Sequence, residues 1–337
     1  MIRLKDIAAR AGVSVMTVSK ALREEPDVAA ATRTRIRALA ANLGYVPNAM
    51  AQSLRTRSTR LLGLMIPASV NPVYARVLMA IEDRATALGY DLLLAHSLDK
   101  PEHEEAHLRG FLGRGVEGLL VVPVYRMGQG VSAPYREVAA RHVPCVLLGH
   151  PAPHCAGVAS AAPDDVAGAE LLTRHLLELG HRRIACLAGP VAAPWAQERY
   201  EGYRRALRAA DLPMDDQLVY HAGATIEEGF QAGLELLRED TGATAVVAVN
   251  DLVAIGAANA MLGQGMRIPQ EMSVVGYGNI LTAEHYRVPL TTVREPKFRL
   301  GVAAMEMLEQ LIAGGTVESR RLRGELVERA STAPPAA

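Results

Sequence analysis

With 337 residues, half of them hydrophobic, the chain is long enough for two or three domains with sizeable cores. Lys and Arg balance Asp and Glu at 36 each, so net charge alone excludes no partner, but its distribution is uneven. Residues 1–60 carry eleven Lys and Arg against four Asp and Glu, a surplus of +7 that leaves −7 on the remainder, which points to nucleic-acid contact confined to a basic head. The opening residues hold no apolar signal region, and no run approaches the ~18 apolar residues of a membrane span. The cysteines, Cys145, Cys155 and Cys186, are odd in number and show no CxxC spacing. A reducing, cytoplasmic setting without membrane contact fits these features.

In chain order, residues 4–23 read as two short helices across the turn Gly12-Val13-Ser14. Glycine accepts the positive φ that ends a helix, and a serine hydroxyl caps the next one. Leu4, Ile7, Ala8, Ala11, Val13, Val18, Ala21 and Leu22 fall on the inner sides. Val15, Met16, Thr17, Ser19, Lys20 and Arg23 are left on the outer side of the second helix. Hydroxyls and cations suit phosphates, and Val15 and Met16 suit base edges, so the pattern is that of a helix-turn-helix. A third helix over 28–43 closes the head through Ile36, Leu39, Ala40 and Leu43 and stops at Gly44. After Pro47, Asn48 can cap a piece over 49–55 that is too short to persist alone in water. Arg55, Arg57 and Arg60 then form a basic linker.

From Leu61 apolar strands alternate with helices. Strands are expected at Leu61–Ile66, Asp91–His96, Gly118–Val122 and Cys145–Leu148, with helices from Pro72 to Leu88, over 102–113 and near 134–141. After a break near 158–164, a second series follows: helix 165–179, strand Ile184–Leu187, helix 196–210, strand Leu218–His221, helix 226–238, strand Ala245–Val249, helix 251–263 and strand Ser273–Tyr277. Such alternation builds parallel sheets covered by helices on both faces, and two series build two lobes. Ligands in open α/β sheets bind beyond the carboxyl ends of the strands, so the cleft between the lobes is the natural site.

The chain resembles the lactose-repressor (LacI/GalR) family of transcription regulators over nearly its whole length. The resemblance is carried by Asp6-Ile7-Ala8, Ala11-Gly12-Val13-Ser14, Thr17-Val18-Ser19, Leu43-Gly44-Tyr45-Val46-Pro47-Asn48 and Gly180-His181 with Ile184. Further along it rests on Gly189-Pro190, Arg199 with Gly202-Tyr203, Asn250-Asp251, Val275-Gly276-Tyr277 and Pro289-Leu290-Thr291-Thr292-Val293. It implies an α/β protein with an all-α helix-turn-helix head over 1–46 and a hinge helix and linker over 47–60. A two-lobed, periplasmic-binding-protein-like core for ligand binding and dimerisation follows over 61–337. Lobe one is placed at about 61–160 and 293–320, and lobe two at about 161–292 and 321–332. The resemblance further implies a homodimer on palindromic operator DNA. No leucine heptad follows the core, so no tetramerisation helix is expected.

The resemblance assigns Val15, Met16 and Lys20 to base reading, with Thr17, Ser19, Asn48 and Arg55 as further DNA contacts and Leu54 as the residue wedged into the minor groove. Met16 has packing against the third helix as its plain alternative. Ala29 stands where relatives often place a capping serine, with Asp27 or Thr32 as candidate substitutes. For the effector the candidates are Asn71, Tyr74, His150, Trp195, Arg199, Asn250, Gly278 and Glu295. Arg199 is expected to grip the ligand and Asn250 to face it, with Asp251 capping the following helix. Trp195 either stacks on the ligand or packs. Gly149 and Gly278 stand where sugar-binding relatives often carry acids, so an unpaired Arg199 implies an anionic ligand, such as a sugar acid or sugar phosphate, unless Glu295 pairs with the arginine itself.

The reading that follows is a sequence-specific DNA-binding regulator, a repressor, controlled by a small-molecule effector, a sugar or sugar-derived anion. The alternative is a sugar-binding protein without operator-specific regulation. No nucleophile elbow, phosphate loop or cofactor motif supports an enzyme. Asp164-Asp165 reads as helix-start carboxylates. His150, His154 and Cys155 form a weak metal pattern, and no metal or cofactor is expected.

Overall fold

The computed structural model describes residues 2–46, 58–69, 72–126 and 130–336. The chain divides into two compact units, residues 1–59 and 60–337.

In the first unit, α1 (Leu4–Ala11) ends at Gly12, whose φ of 66° is the left-handed turn a side chain would strain. Helix α2 (Val15–Leu22) starts at Ser14, whose hydroxyl accepts the Thr17 N–H at 3.0 Å. Helix α3 (Ala30–Asn42) has Ala29 at its N-cap and no side-chain cap. Asp27 does not substitute, because its carboxylate is taken by Lys20. Ile7, Ala8, Val18, Ala21, Val28, Ile36 and Ala40 form the buried core.

The second unit holds two six-stranded sheets. Strands β1 (Leu61–Ile66), β2 (Asp91–His96), β3 (Gly118–Val121), β4 (Cys145–Leu148) and β5 (Ser160–Pro163) alternate with α4 (Pro72–Ala87), α5 (Pro101–Gly113) and α6 (Ala133–Ala140). The second series runs α7 (Asp165–Glu178), β6 (Ile184–Ala188), α8 (Pro194–Ala209), β7 (Val219–His221), α9 (Ile226–Glu239), β8 (Ala245–Ala248), α10 (Asp251–Gly263) and β9 (Ser273–Tyr277). It closes with α11 (Leu281–His285), β10 (Thr291–Arg294), α12 (Lys297–Ile312), β11 (Arg320–Leu322) and β12 (Glu325–Val327). The first sheet has the order β11-β5-β4-β3-β1-β2 and is parallel throughout. The second has the order β12-β10-β9-β8-β6-β7 and is parallel except for β12.

Helices cover both faces of each sheet, as parallel strands require. Leu62, Leu64 and Leu120 point to α4 and α12, while Met65, Leu119 and Val121 point to α5 and α6. In the second lobe α9 and α10 cover one face and α7 and α8 the other.

Strand pairing corrects the sequence reading in two places. The segment read as a break near 158–164 contains β5, a Ser-Ala-Ala-Pro strand without the β-branched residues that mark strands. The lobe crossings also shift. Strand β10 keeps the chain in the second lobe to Arg294, and β11 keeps it in the first to Leu322, so the crossings fall at 164, 295–296 and 323–324.

Glycine sets the helix spacing in the second lobe. A Cβ at Gly202 of α8 would stand 2.3 Å from the Val166 carbonyl oxygen of α7. Gly202→Ala is therefore expected to lower core stability by about 1–3 kcal/mol, as overpacking does. Gly263→Ala, in the same kind of backbone but facing open space, should be neutral or stabilising. Urea unfolding of both variants checks the pair; equal effects would mean that the helices move apart at no cost.

Candidate functional site

The carboxyl ends of both sheets meet around a cavity of about 240 Å³ between the lobes. Its central group is Arg199 on α8, whose side chain is 10% exposed. Nε donates to Asp165 Oδ1 at 2.8 Å, Nη1 to the Val249 carbonyl at 2.9 Å and Nη2 to Glu295 Oε1 at 2.7 Å. The guanidinium lies over the Tyr277 ring at 3.7 Å from its centroid, and the Trp195 centroid is 5.0 Å away. Burial opposes the charge, but Asp165 and Glu295 outweigh it and hold Arg199 above its ordinary pKa.

This geometry removes the premise of an anionic ligand. Arg199 does not wait for a negative group, since two carboxylates already meet it. Glu295 pairs with it, and Asp165, read from sequence as a helix-start carboxylate, is the second partner. Asp164 does the capping, accepting the Ala167 N–H at 3.2 Å, which frees Asp165 for the cavity.

His150 lines the cavity as expected but is engaged on its far side. Its Nε2 is 3.0 Å from Asp165 Oδ2 and 3.0 Å from Glu198 Oε2. Arg321 clamps Glu198 with two hydrogen bonds of 2.6 and 2.7 Å. His150, Asp165 and Glu198 bring possible ligand atoms within 4.8 Å of one another. Arg199 and Arg321 already supply the countercharge that a cation would bring there. The sequence pattern with His154 and Cys155 does not assemble around His150: His154 faces Glu104, and the Cys155 thiol bonds the Ala152 carbonyl.

The remaining candidates divide. Tyr74 and Trp195 line the cavity. Asn250 also lines it, but its side chain caps α10, accepting from the Val253 N–H at 2.8 Å and donating to the Ala224 carbonyl at 3.0 Å. Asp251, expected to be the cap, is buried and accepts from the Thr292 hydroxyl at 2.6 Å and the Ile280 N–H at 2.8 Å. The capping role thus falls to Asn250, and Asp251 does not line the cavity. Gly278 is not among the lining residues; its carbonyl accepts from Lys297 Nζ. A Cβ there would stand 3.5 Å from Asp251 Oδ2 and 3.6 Å from Glu295 Oε2, so an acid at this position would meet two others. Asn71 lies outside the described residues.

Sequence reasoning missed Asp99, Tyr125, Asp165, Tyr277 and Lys297, all of which line the cavity. Burial raises the Asp99 carboxyl and lowers the Lys297 ammonium, the latter against the pull of Glu295 and Asp251. The available signals were a doubled acid at one helix start, where only one can cap, and a lysine directly after Pro296.

In the head, Val15 and Met16 are 46% and 65% exposed, so Met16 does not pack against α3. Lys20 pairs with Asp27, and Ser19 accepts from Arg23. The Thr17 and Ser14 hydroxyls are 2.9 Å apart. Asn48, Leu54 and Arg55 lie outside the described residues.

A helix-turn-helix unit and a two-lobed core with a cavity between its lobes define a ligand-responsive DNA-binding regulator. Comparison with known proteins gives the family. Residues 3–48 match bacterial regulatory proteins of the lacI family, and residues 173–332 match a periplasmic binding protein-like domain. The chain is 32% identical over 335 residues to the HTH-type transcriptional repressor PurR of Vibrio atlanticus (strain LGP32), covering 98% of both chains. It is 32% identical over 325 residues to the ribose operon repressor of Escherichia coli (strain K12), covering 96% of this chain and 97% of that one. The structure superposes on the lac repressor dimer bound to operator and the anti-inducer ONPF with a TM-score of 0.87 at 28% identity, covering 98% and 99%. The chain belongs to the LacI family and is a transcriptional repressor with an effector-binding core, not an enzyme. Among the described residues, no helix is long and apolar enough to cross a membrane.

Burial pushes His150 down to about 4, helped by Arg321 and Arg199 and opposed by Glu198. The unfolded chain, with its ordinary value near 6.5, takes up that proton first. The stabilisation is therefore complete above pH 6.5 and is lost as pH falls towards 4. Asp165, pushed up to about 6 by burial against the pull of Arg199, has the opposite sign. Wild type is expected to lose stability relative to His150→Gln between pH 6.5 and 4, because glutamine takes up no proton in either state. Denaturant melts of the core across that range measure the difference; a constant difference would show that His150 is not held neutral.

Proposed function

We propose that the effector is a neutral polyhydroxylated molecule of monosaccharide size, and that the protein binds palindromic operator DNA as a homodimer. The pairing of Arg199 with both Asp165 and Glu295 supports this reading above all. The cavity sets three carboxyl groups, Asp99, Asp165 and Glu295, against two cations, Arg199 and Lys297, so it offers carboxylate acceptors and no surplus of positive charge. Hydroxyl donors match such acceptors, and charge-assisted bonds of that kind are the strong ones. Tyr74, Tyr125 and Trp195 supply apolar surface for a ring face. A cavity of about 240 Å³ lies at the small end of ligand sites, which favours one sugar ring over an oligosaccharide. The ribose operon repressor and the operator-bound lac repressor dimer are relatives with the same overall plan.

In the head, Val15 and Met16 are the base-reading candidates by their exposure. Lys20 is a third, once DNA competes with Asp27 for its ammonium. Thr17 and Ser19 are assigned to phosphates. Asn48 and Arg55 remain DNA-contact candidates, and Leu54 the minor-groove wedge, on the family resemblance. A two-fold dimer doubles the few contacts that one small head can make.

Two outcomes are expected. Met16→Ala should weaken operator binding by on the order of 1 kcal/mol while leaving binding to unrelated DNA nearly unchanged, because base contacts discriminate and phosphate contacts do not. Gel shifts on both DNAs test this, and an equal loss on each would assign Met16 elsewhere. For the effector, Trp195 is the only tryptophan, so its emission reports on the cavity. Neutral monosaccharides should change it saturably and alter operator affinity. Their sugar-acid and sugar-phosphate counterparts should bind at least tenfold more weakly. Tighter binding of the anions, or of a purine base, would overturn the proposal.

A further inference from the structure

We propose that the first lobe carries a second ligand site, separate from the central cavity, that binds a phosphate group. The site is a surface cavity of about 320 Å³ at the start of α6, walled by Arg126, Ser132, Arg136 and His154 with Glu105. Its buried wall is built but unsatisfied. His154 is 5% exposed, and neither ring nitrogen has a hydrogen-bond partner. Ser132 occupies the N-cap of α6, yet its buried hydroxyl makes no hydrogen bond to that helix or to any other group. Buried polar groups normally find partners, so two unpartnered ones facing one cavity call for a ligand that supplies them.

The ring of His154 is held from behind. Glu104 is fully buried; its Oε1 accepts the Val124 N–H at 3.1 Å and the Tyr135 hydroxyl at 3.0 Å. Its Oε2 stands 3.5 Å from His154 Nε2. The Tyr135 ring meets the imidazole edge-on at 5.7 Å. These contacts fix the imidazole with Nε2 turned to Glu104 and leave Nδ1 without a partner.

The charge selects an anion. Arg126 and Arg136 both face the cavity; Glu105 opposes them on its wall, and the buried Glu104 stands behind His154. Glu105 is shared between two guanidinium groups, 3.5 Å from Arg126 and 3.4 Å from Arg109. Arg136 donates to the Val131 carbonyl and has further N–H groups free to turn inward. The eight-residue α6 adds the partial positive charge of its N-terminus. Donors thus converge from two guanidinium groups, a hydroxyl and an imidazole. Phosphate meets such a set with three terminal oxygens, more than a planar carboxylate offers.

The site and the central cavity share the segment 122–126. Tyr125 lines the central cavity, and its hydroxyl bonds the His150 backbone N–H and carbonyl, both at 3.1 Å, while the next residue, Arg126, lines the second cavity.

Calorimetry on the full chain with inorganic phosphate, and separately with glycerol phosphate, tests the assignment. One-site saturable binding is expected. Arg126→Ala/Arg136→Ala should weaken it at least tenfold with an unchanged circular-dichroism spectrum and melting midpoint, and Ser132→Ala should weaken it less. Tighter binding of glycerol phosphate would assign the site to a phosphorylated metabolite, and equal or weaker binding to free phosphate. The proposal is overturned if neither probe saturates, or if the double variant binds as wild type does. A phosphate-induced change in Trp195 emission that persists in the double variant would place the anion in the central cavity and also overturn it.

Discussion

The core depends on one ion network, the Arg199 guanidinium held between Asp165 and Glu295. Its importance follows from where the partners sit in the chain. Asp165 follows the first crossing between the lobes, and Glu295 lies on the second. One guanidinium on α8 therefore ties two of the three interlobe connections at the mouth of the cavity. Beside the third crossing, Arg321 on β11 of the first lobe clamps Glu198 on α8 of the second. Losing one partner of a buried pair leaves an uncompensated charge and costs about 3–5 kcal/mol, far more than an exposed pair contributes. The network thus resists partial disruption, and a ligand that enters must leave it whole or replace it in full.

Local capping positions these charges. Two helices that start at the cleft present two adjacent polar residues, and the structure uses them differently. At α7 the first, Asp164, caps the helix and the second, Asp165, turns to Arg199. At α10 Asn250 caps and Asp251 turns inward to Thr292 and Ile280. The same division appears twice in unrelated sequence. A cap needs the residue whose backbone is still extended, and the next residue, already helical, points its side chain towards the sheet ends.

Much of the fold was legible in the sequence because its signals are local. Gly12 and Ser14 mark the helix-turn-helix, and the apolar strands of both lobes stand out between helices. Short elements with weak signals were missed or displaced: β5 lacks β-branched residues, and β11 and β12 are three-residue strands rich in charge. In the site, the residue most firmly read, Arg199, sits at the centre. The inference of an anionic ligand loses its premise because acidity was counted at two positions of the chain, Gly149 and Gly278. The structure supplies acidity from elsewhere, through Asp165, Asp99 and Glu295. Pairing across 34 and 96 residues of sequence separation leaves no local trace, which is why Asp165 read as a helix-start carboxylate.

A cavity whose arginine is already paired also bears on specificity. In a cleft with an unpaired arginine, affinity would come from charge and would fall with salt. Here the arginine is already paired within the protein, so the neutral effector proposed above would be selected by the directions of its hydroxyl groups and by contact with Tyr74, Tyr125 and Trp195. A hydroxyl that misses its carboxylate leaves that acceptor desolvated and unpaired, a larger loss than any single added contact provides. Discrimination of that kind separates sugars differing in one stereocentre, as an operator controlled by one metabolite among many similar ones requires.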